Sequence, residues 1–387
     1  MKSSFRLFRI FGIDIGIHYT WIFIFVFFSW SLAVGYFPQV NPNWSTATYW
    51  ITGIIAALML FVSVLLHELA HSLVARRRGM PVNSIVLFIL GGVSNLEEEP
   101  DKPSAEFTMA IVGPVTSIVL AAVFWGIACA VAGSLLGFND IINGNNLNTP
   151  VGAVIGYLAF INLFLGIFNL IPGFPLDGGR VLRSIIWDST GNLVRATNIA
   201  SITGQFIGWA MIGVGIYLIF TVSFITGLWL VFIGWFLNSS ADASRKEVSL
   251  RERLSHVKVG DVINPAPEVV GPKTTVSELV RDIFGKKHGR AVPVCDGEKL
   301  IGIVTISDIR KVSQAAWGTT TVENIMTRDP LYTVSPSDNV TTAFKLLAKQ
   351  NINQVLVVRD GKCAGILSRA DIINHLQFTQ ELGLDRR

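Results

Sequence analysis

Charge is scarce in this chain. Of its 387 residues 15% are Asp, Glu, Lys or Arg and 51% are hydrophobic, whereas a soluble globular chain carries about 25% charged residues. The deficit excludes a wholly soluble protein. It is also uneven: residues 1–244 hold ten Lys or Arg, and the last 143 residues hold the other twenty-one. A membrane domain therefore precedes a soluble one. Cysteine is nearly absent. Cys129, Cys295 and Cys363 are odd in number and include no C-x-x-C pair, which excludes a disulfide framework and a cysteine-ligated metal and fits small core side chains in a reducing compartment. No basic cluster accompanies a nucleic-acid motif, and the formal net charge is a modest +4, so no nucleic-acid partner is expected.

What is present is a set of long apolar runs. Six segments, near residues 17–37, 50–75, 105–133, 152–171, 198–220 and 222–238, are long enough to cross a bilayer. Lys2, Arg6 and Arg9 before the run Tyr19 to Tyr36 mimic a signal peptide, but the run exceeds a usual signal core and reads as a retained anchor. The connections 38–49 and 134–151 and the tight link near 221 contain no Lys or Arg; all ten in the membrane half lie before the first span, in 76–104, or in 172–197. That asymmetry predicts a cell-membrane protein with both termini and the soluble half in the cytoplasm.

Inside the second run stands His67-Glu68-Leu69-Ala70-His71. Ionisable groups in a span are costly unless they face a cavity or a partner, which makes them functional candidates. Histidines at i and i+4 share a helix face and can bind one metal, and the Glu between them can act as general base. Arg76, Arg77 and Arg78 end the span, so His71 and His67 lie about 7 Å and about 13 Å below that ring at about 1.5 Å per residue. A catalytic zinc site usually takes a third protein ligand. His18 stands at the start of the first span, Asp14 precedes it, and Asp140 falls on the opposite face of the membrane. Asp177 follows Asn169-Leu170-Ile171-Pro172-Gly173-Phe174-Pro175-Leu176, a helix-breaking stretch of the kind tolerated at membrane depth only where it is buried in protein or lines a cavity. Asp177 is the expected third ligand. Asn169 has two readings, a helix–helix contact or a donor to the oxyanion of a tetrahedral intermediate; Asn162 reads as packing.

His67-Glu68-x-x-His71 together with Asn169-x-x-Pro172-x-x-Pro175-Leu176-Asp177-Gly178 resembles the site-2 protease family of intramembrane zinc metalloproteases over roughly residues 5–240. The resemblance implies one Zn2+ per chain on His67, His71 and Asp177, Glu68 as catalytic base, and Asn169 orienting substrate or stabilising the oxyanion. The implied partners are the lipid bilayer and a membrane-spanning protein substrate, such as an anti-sigma factor or a membrane-tethered regulator. Val82 to Leu96, apolar and interrupted by Gly91-Gly92, reads as a β-hairpin or re-entrant loop, either lying on the membrane or holding an unwound substrate by strand addition. The acidic run Glu97-Glu98-Glu99 with Asp101 reads as a solvated connection, and Gly113-Pro114 as a site of close helix approach or a kink, without chemistry.

The soluble half contains a repeat. Gly302 to Asp308 matches Gly365 to Asp371, and Val259 to Ile263 matches Val322 to Met326, both at an offset of 63. Each copy has a helical stretch (276–286, 339–349) before a short β run (291–294, 354–358). The endings Thr305-x-x-Asp308 and Ser368-x-x-Asp371 resemble those of tandem CBS domains. The resemblance implies an adenine nucleotide (ATP, ADP or AMP), with ribose on Asp308 and Asp371 and phosphate near Thr305 and Ser368, and possible pairing of two chains as a homodimer. The bland alternative makes these Asp residues helix caps. Lys286, Lys287, His288 and Arg290 either add phosphate affinity or form a solvated face.

The expected fold is a multi-pass α-helical membrane bundle of six spans with a short re-entrant or β-hairpin element, followed by an α/β CBS pair. The expected divisions are a zinc protease domain (1–240), a linker (241–255) and two repeats (256–318, 319–387). A transporter or channel gated by its CBS pair, with a structural metal site, is the alternative; the membrane half has no evident inverted repeat to favour it.

Overall fold

The computed structural model describes residues 4–89, 91–96, 100–255, 257–263, 268–285, 290–297 and 299–381. The chain divides into two compact units, residues 1–246 and 247–387.

The first unit opens with two strands that the sequence reading did not anticipate, β1 (Ser4–Ile10) and β2 (Ile13–His18). They pair antiparallel and continue into β3 (Val82–Phe88) and β4 (Gly91–Leu96), in the order β1-β2-β3-β4. The hairpin expected at 82–96 is thus half of a four-stranded sheet. β2 and β3 are parallel, with Ile15 opposite Ile85 and Ile17 opposite Leu87, and such pairing needs a long crossover. Two helical spans supply it. The first is α1 (Trp21–Ser31), which continues through a π-helical stretch (Leu32–Tyr36) into α2 (Phe37–Val40); the second is α3 (Thr46–Arg77).

α3 starts where Ser45 accepts a hydrogen bond from the Thr48 amide at 3.2 Å, and it ends on Arg76 and Arg77, whose charge suits a helix C-terminus. Its outward residues Ile54, Ile55, Leu58, Val62 and Leu66 are exposed, the pattern of a helix facing lipid. Then follow α4 (Pro103–Ala132), α5 (Phe138–Asn143), α6 (Pro150–Asn169), α7 (Asp177–Thr190), α8 (Leu193–Thr221) and α9 (Phe224–Ser255). Among the described residues six helical segments are long and apolar enough to span: Trp21–Val40, α3, α4, α6, α8 and α9. The sheet packs on the ends of α3 and α4 through Ile13, Ile15, Ile85, Leu69, Ala75 and Met109. This fixes the stretch of α3 that carries the two histidines. Helix α9 does not stop near 238 but runs on through the stretch read as a linker, because Ser239 to Ser255 is polar yet rich in helix formers.

In the second unit the offset of 63 recurs in the coordinates. β5 (Ala291–Asp296) and β6 (Lys299–Thr305) correspond residue by residue to β8 (Gln354–Arg359) and β9 (Lys362–Ser368). A short strand, β7 (Thr333–Val334), joins β8 in parallel; the first repeat has the single bridge Val270–Val294 instead. The helices follow the same plan. α11 (Val276–Glu278), extended by a π-helical stretch (Leu279–Phe284), matches α13 (Val340–Lys349), and α12 (Ile306–Ile309) matches the start of α14 (Arg369–Glu381). The repeats also exchange their leading segments. Val259, in α10 (Val259–Val262), is buried among Val340, Leu347 and Val357 of the second repeat, while Val322 is buried among Val276, Val292 and Val304 of the first.

Each repeat therefore completes its core with a segment from the other. A fragment of residues 319–387 is expected to lack a cooperative unfolding transition, whereas residues 247–387 have one. Thermal melts followed by circular dichroism check this, and a cooperative melt of the shorter fragment contradicts it.

Candidate functional site

Near its C-terminal end α3 turns three polar side chains inward. His67 and His71 lie one turn apart and are 5% and 7% exposed, and Glu68 beside them is half-buried. Asp177 arrives from α7. Its Oδ2 is 3.1 Å from His67 Nε2 and 3.1 Å from His71 Nε2, and the two Nε2 atoms are 3.2 Å apart. Among the described residues these three form the cluster able to hold a metal ion.

The second nitrogen of each ring fixes its tautomer. His71 Nδ1 donates to the Met109 carbonyl at 2.6 Å. A carbonyl only accepts, so Nδ1 carries a proton and, in the neutral ring, Nε2 offers a lone pair. His67 Nδ1 lies 2.9 Å from Ser117 Oγ, and donation there leaves its Nε2 in the same state. With both imidazoles neutral and protonated on Nδ1, two lone pairs and a carboxylate oxygen face one another, an arrangement a cation satisfies. Bonds of about 2.0–2.1 Å around a tetrahedral zinc separate its ligand atoms by about 3.3 Å, close to the separations here. The donor set and its spacing fit zinc, with a fourth position left for water.

The room between the rings comes from a missing side chain. A β-carbon on Gly113 of α4 would stand 2.7 Å from His67 Nε2 and closer to His71 Nε2. The expectation for Gly113-Pro114 named close helix approach or a kink, without chemistry; Gly113 keeps the space between the ligands open. Gly92 of β4 does the same for Glu68, since a β-carbon there would lie 3.0 Å from Glu68 Cδ and 3.3 Å from its Oε1.

Asp177 is the first residue of α7 rather than part of the break before it. The break, residues 170–176, is pinned to α8: the Phe174 amide donates to the Ala200 carbonyl at 3.1 Å, and a β-carbon on Gly173 would lie 2.7 Å from the Gly204 α-carbon. Only a glycine pair permits that approach. Asn169 ends α6, half-buried, with its amide nitrogen donating to the Leu165 carbonyl at 3.0 Å one turn back. Asn162 is fully buried and donates to Ser63 Oγ at 3.1 Å and to the Leu158 carbonyl, a packing role. The rejected ligands are engaged elsewhere: Asp14 pairs with Arg6 at 2.9 Å, and Asp140 accepts from the Gly137 amide at 2.8 Å. Glu97, Glu98 and Glu99 lie outside the described residues, and Asp101 is exposed.

In the second unit Asp308 Oδ2 accepts from the Thr305 amide and hydroxyl at 3.1 and 2.7 Å, and Asp371 Oδ2 accepts from the same groups of Ser368 at 2.8 and 2.6 Å. The hydroxyl residues are therefore the N-caps, and the Asp residues are their partners three positions on. Lys311 Nζ also lies 2.9 Å from Asp308 Oδ1. A cavity of about 560 Å³ opens between the repeats, lined by Thr305, Ser307, Arg290 and Arg310 of the first and by Tyr332 and Asn353 of the second, among others. Lys286, Lys287 and His288 lie outside the described residues.

Comparison with known proteins agrees with both units. Residues 55–212 match the model of peptidase family M50, and residues 259–315 and 322–377 each match the CBS domain. The chain is 36% identical to sll0528 of Synechocystis sp., a candidate zinc metalloprotease by name, over 97% of this chain and 96% of that one. It is 30% identical to "Zinc metalloprotease MJ0392" of Methanocaldococcus jannaschii over 98% of both chains. The chain belongs to peptidase family M50. It is a zinc metalloprotease of the site-2 protease type, a multi-pass membrane protein carrying two CBS domains. A solved site-2 protease from Methanocaldococcus jannaschii also matches, with 30% identity and a TM-score of 0.41, over 63% of this chain and 95% of that one.

Four contributors to the M50 site were not assigned to it from the sequence: Gly113 and Gly92, which were read as local backbone features, and Ser117 and the Met109 carbonyl. Replacing Gly113 by Ala places a methyl group between the ligating nitrogens. Zinc bound to purified Gly113→Ala protein, measured by elemental analysis, is expected to fall from about one per chain to near zero with the helical signal intact. A full zinc complement contradicts this assignment.

Proposed function

We propose that this M50 protein hydrolyses peptide bonds in or near the transmembrane segments of membrane proteins, with zinc held by His67, His71 and Asp177. The observation that carries the reading is the triangle of two imidazole nitrogens and a carboxylate oxygen, with Glu68 alongside, at a helix long and apolar enough to span. Zinc held by His67, His71 and Asp177 would supply Lewis-acid chemistry at the scissile carbonyl and a water activated at neutral pH. Glu68 accepts the proton of the attacking water and passes it to the leaving amine. Ser117 and the Met109 carbonyl keep both imidazoles in the tautomer that ligates. Asn169 sits at the end of α6 to orient substrate or donate to the oxyanion; its amide nitrogen carries a second N–H besides the one that donates to the Leu165 carbonyl.

A helical substrate must unwind before its carbonyls can be attacked. β4 is the terminal strand of its sheet among the described residues, and Gly92 brings its backbone against Glu68. Strand addition along β4 would hold an extended segment beside the base. The Lys and Arg distribution supports a cytoplasmic location for both termini and the CBS domains, with cleavage in the cytoplasmic third of the bilayer. An anti-sigma factor or a membrane-tethered regulator is a substrate of the right form.

The cavity between the CBS repeats suits an adenine nucleotide, whose phosphates Arg290 and Arg310 would meet. Nucleotide binding there would modulate cleavage, and the CBS domains would also pair two chains in a homodimer. The alternative, a CBS-gated transporter with a structural metal, leaves Glu68 without a task.

Two measurements test the proposal. With a single-span substrate in reconstituted vesicles, Glu68→Gln is expected to retain zinc and to lose cleavage by at least about a hundredfold, the scale of a lost general base; unchanged turnover removes Glu68 from the role. For the cavity, Arg310→Ala is expected to weaken ATP or AMP binding about tenfold or more by calorimetry, as the loss of a charge-assisted hydrogen bond would. Equal affinity in the variant contradicts that assignment.

A further inference from the structure

Outside the ligand set, Glu106 and Arg183 form a buried ion pair. Glu106 lies in the first turn of α4 and is fully buried; Arg183, in α7, is 5% exposed. Arg183 Nε donates to Glu106 Oε1 at 2.7 Å, Nη2 donates to the same oxygen, and Arg180 Nε lies 4.0 Å from it. The Arg183 guanidinium also stands over the Phe174 ring, 5.0 Å from its centroid, in the loop that leads into Asp177. Glu106 Oε2 is buried and has no hydrogen-bond partner among the described residues.

As a source of stability the pair is poor. Removing two charges from water offsets most of their attraction, and apolar side chains of similar volume often serve as well or better. The unpartnered oxygen adds to the cost. What the pair supplies is position. Met109, Gly113 and Ser117, the α4 residues that serve His71 and His67, lie three, seven and eleven residues after Glu106 and so share its helix face. Through Arg183 that same face grips α7 six residues beyond Asp177, about 9 Å along the helix axis.

We propose that Glu106 and Arg183 are a positioning pair, which locks α7 against α4 so that the Asp177 carboxylate falls within ligand distance of His67 and His71. All three metal ligands are then referenced to one helix. This rests on the zinc reading of those residues given above.

The test uses the full-length protein in detergent, with zinc affinity measured by competition against a chelator series and the melting of the zinc-free form followed separately. The double variant Glu106→Leu with Arg183→Met removes both charges and keeps the bulk. Its zinc-free form is expected to melt close to wild type, while its zinc affinity falls about 10–100-fold, the range for losing a group that supports a metal ligand. Glu106→Gln, which keeps the acceptor oxygen without the charge, is expected to fall by less. Wild-type affinity in the folded double variant overturns the proposal, and so does a lowered zinc-free melting point with affinity unchanged. Should the double variant not fold, Glu106→Gln decides: affinity within about twofold of wild type, well short of the usual supporting-group effect, overturns the proposal. Wild-type protein that holds no stoichiometric zinc removes the reading on which it rests.

Discussion

Three electron-rich atoms, two imidazole nitrogens and a carboxylate oxygen, are held within 3.2 Å of one another inside an apolar bundle. With neither proton nor cation among them they would repel, and in a low-dielectric interior that repulsion would be strong. The surrounding structure can be understood as what keeps them together until a cation binds. The four-stranded sheet clamps the end of α3 through Ile13, Ile15 and Ile85. The Met109 carbonyl and Ser117 turn the rings, and the glycine contact between Gly173 and Gly204 carries the chain across α8 to the start of α7. α4 contributes to every one of the three ligands, as a rigid ruler along which the site is measured.

How much of this was legible depended on whether a residue type is informative where it stands. A histidine pair and a glutamate in an apolar run are conspicuous because burial is costly for them, and the spacing of His67 and His71 fixes their common face. Asp177 was readable because carboxylates are rare in the membrane half and the residues before it cannot continue a helix. Gly113 and Gly92 act through the absence of a side chain, and Met109 through its backbone, so their identity says nothing of their task. Glycine is ordinary in a span, and nothing in the chain marks which one faces a ligand.

The fold follows the same division. The six spans and the repeat at an offset of 63 stand out because periodicity and hydropathy persist over many residues. The strands β1 and β2 are short, their partner β3 lies some seventy residues downstream, and arginines at 6 and 9 beside an apolar run imitate a signal peptide. The exchange of Val259 and Val322 between the repeats is a long-range choice that identical local sequence patterns cannot express. Within each repeat the hydroxyl and carboxylate of the T/S-x-x-D ending close on each other as a capping box. Of these residues Thr305 lines the cavity between the repeats, while Asp308, Ser368 and Asp371 do not, so the signature records the local cap more directly than a binding function.

The contact between β4 and Glu68 bears on how a protease can work where water is scarce. A general base in a dry pocket is effective only if substrate and water reach it together, because either alone leaves a charged carboxylate poorly solvated. Gly92 places the backbone of a terminal strand against the Glu68 side chain. A segment pairing with that strand must be extended, and an extended segment is the form in which a peptide carbonyl is open to attack. Under the proposed strand addition, pairing and base would be mechanically joined: a segment that stays helical could not pair, and one that could not pair would not be presented to Glu68. Selectivity for unwound stretches would then follow from the geometry of the edge before any side chain of the substrate is recognised.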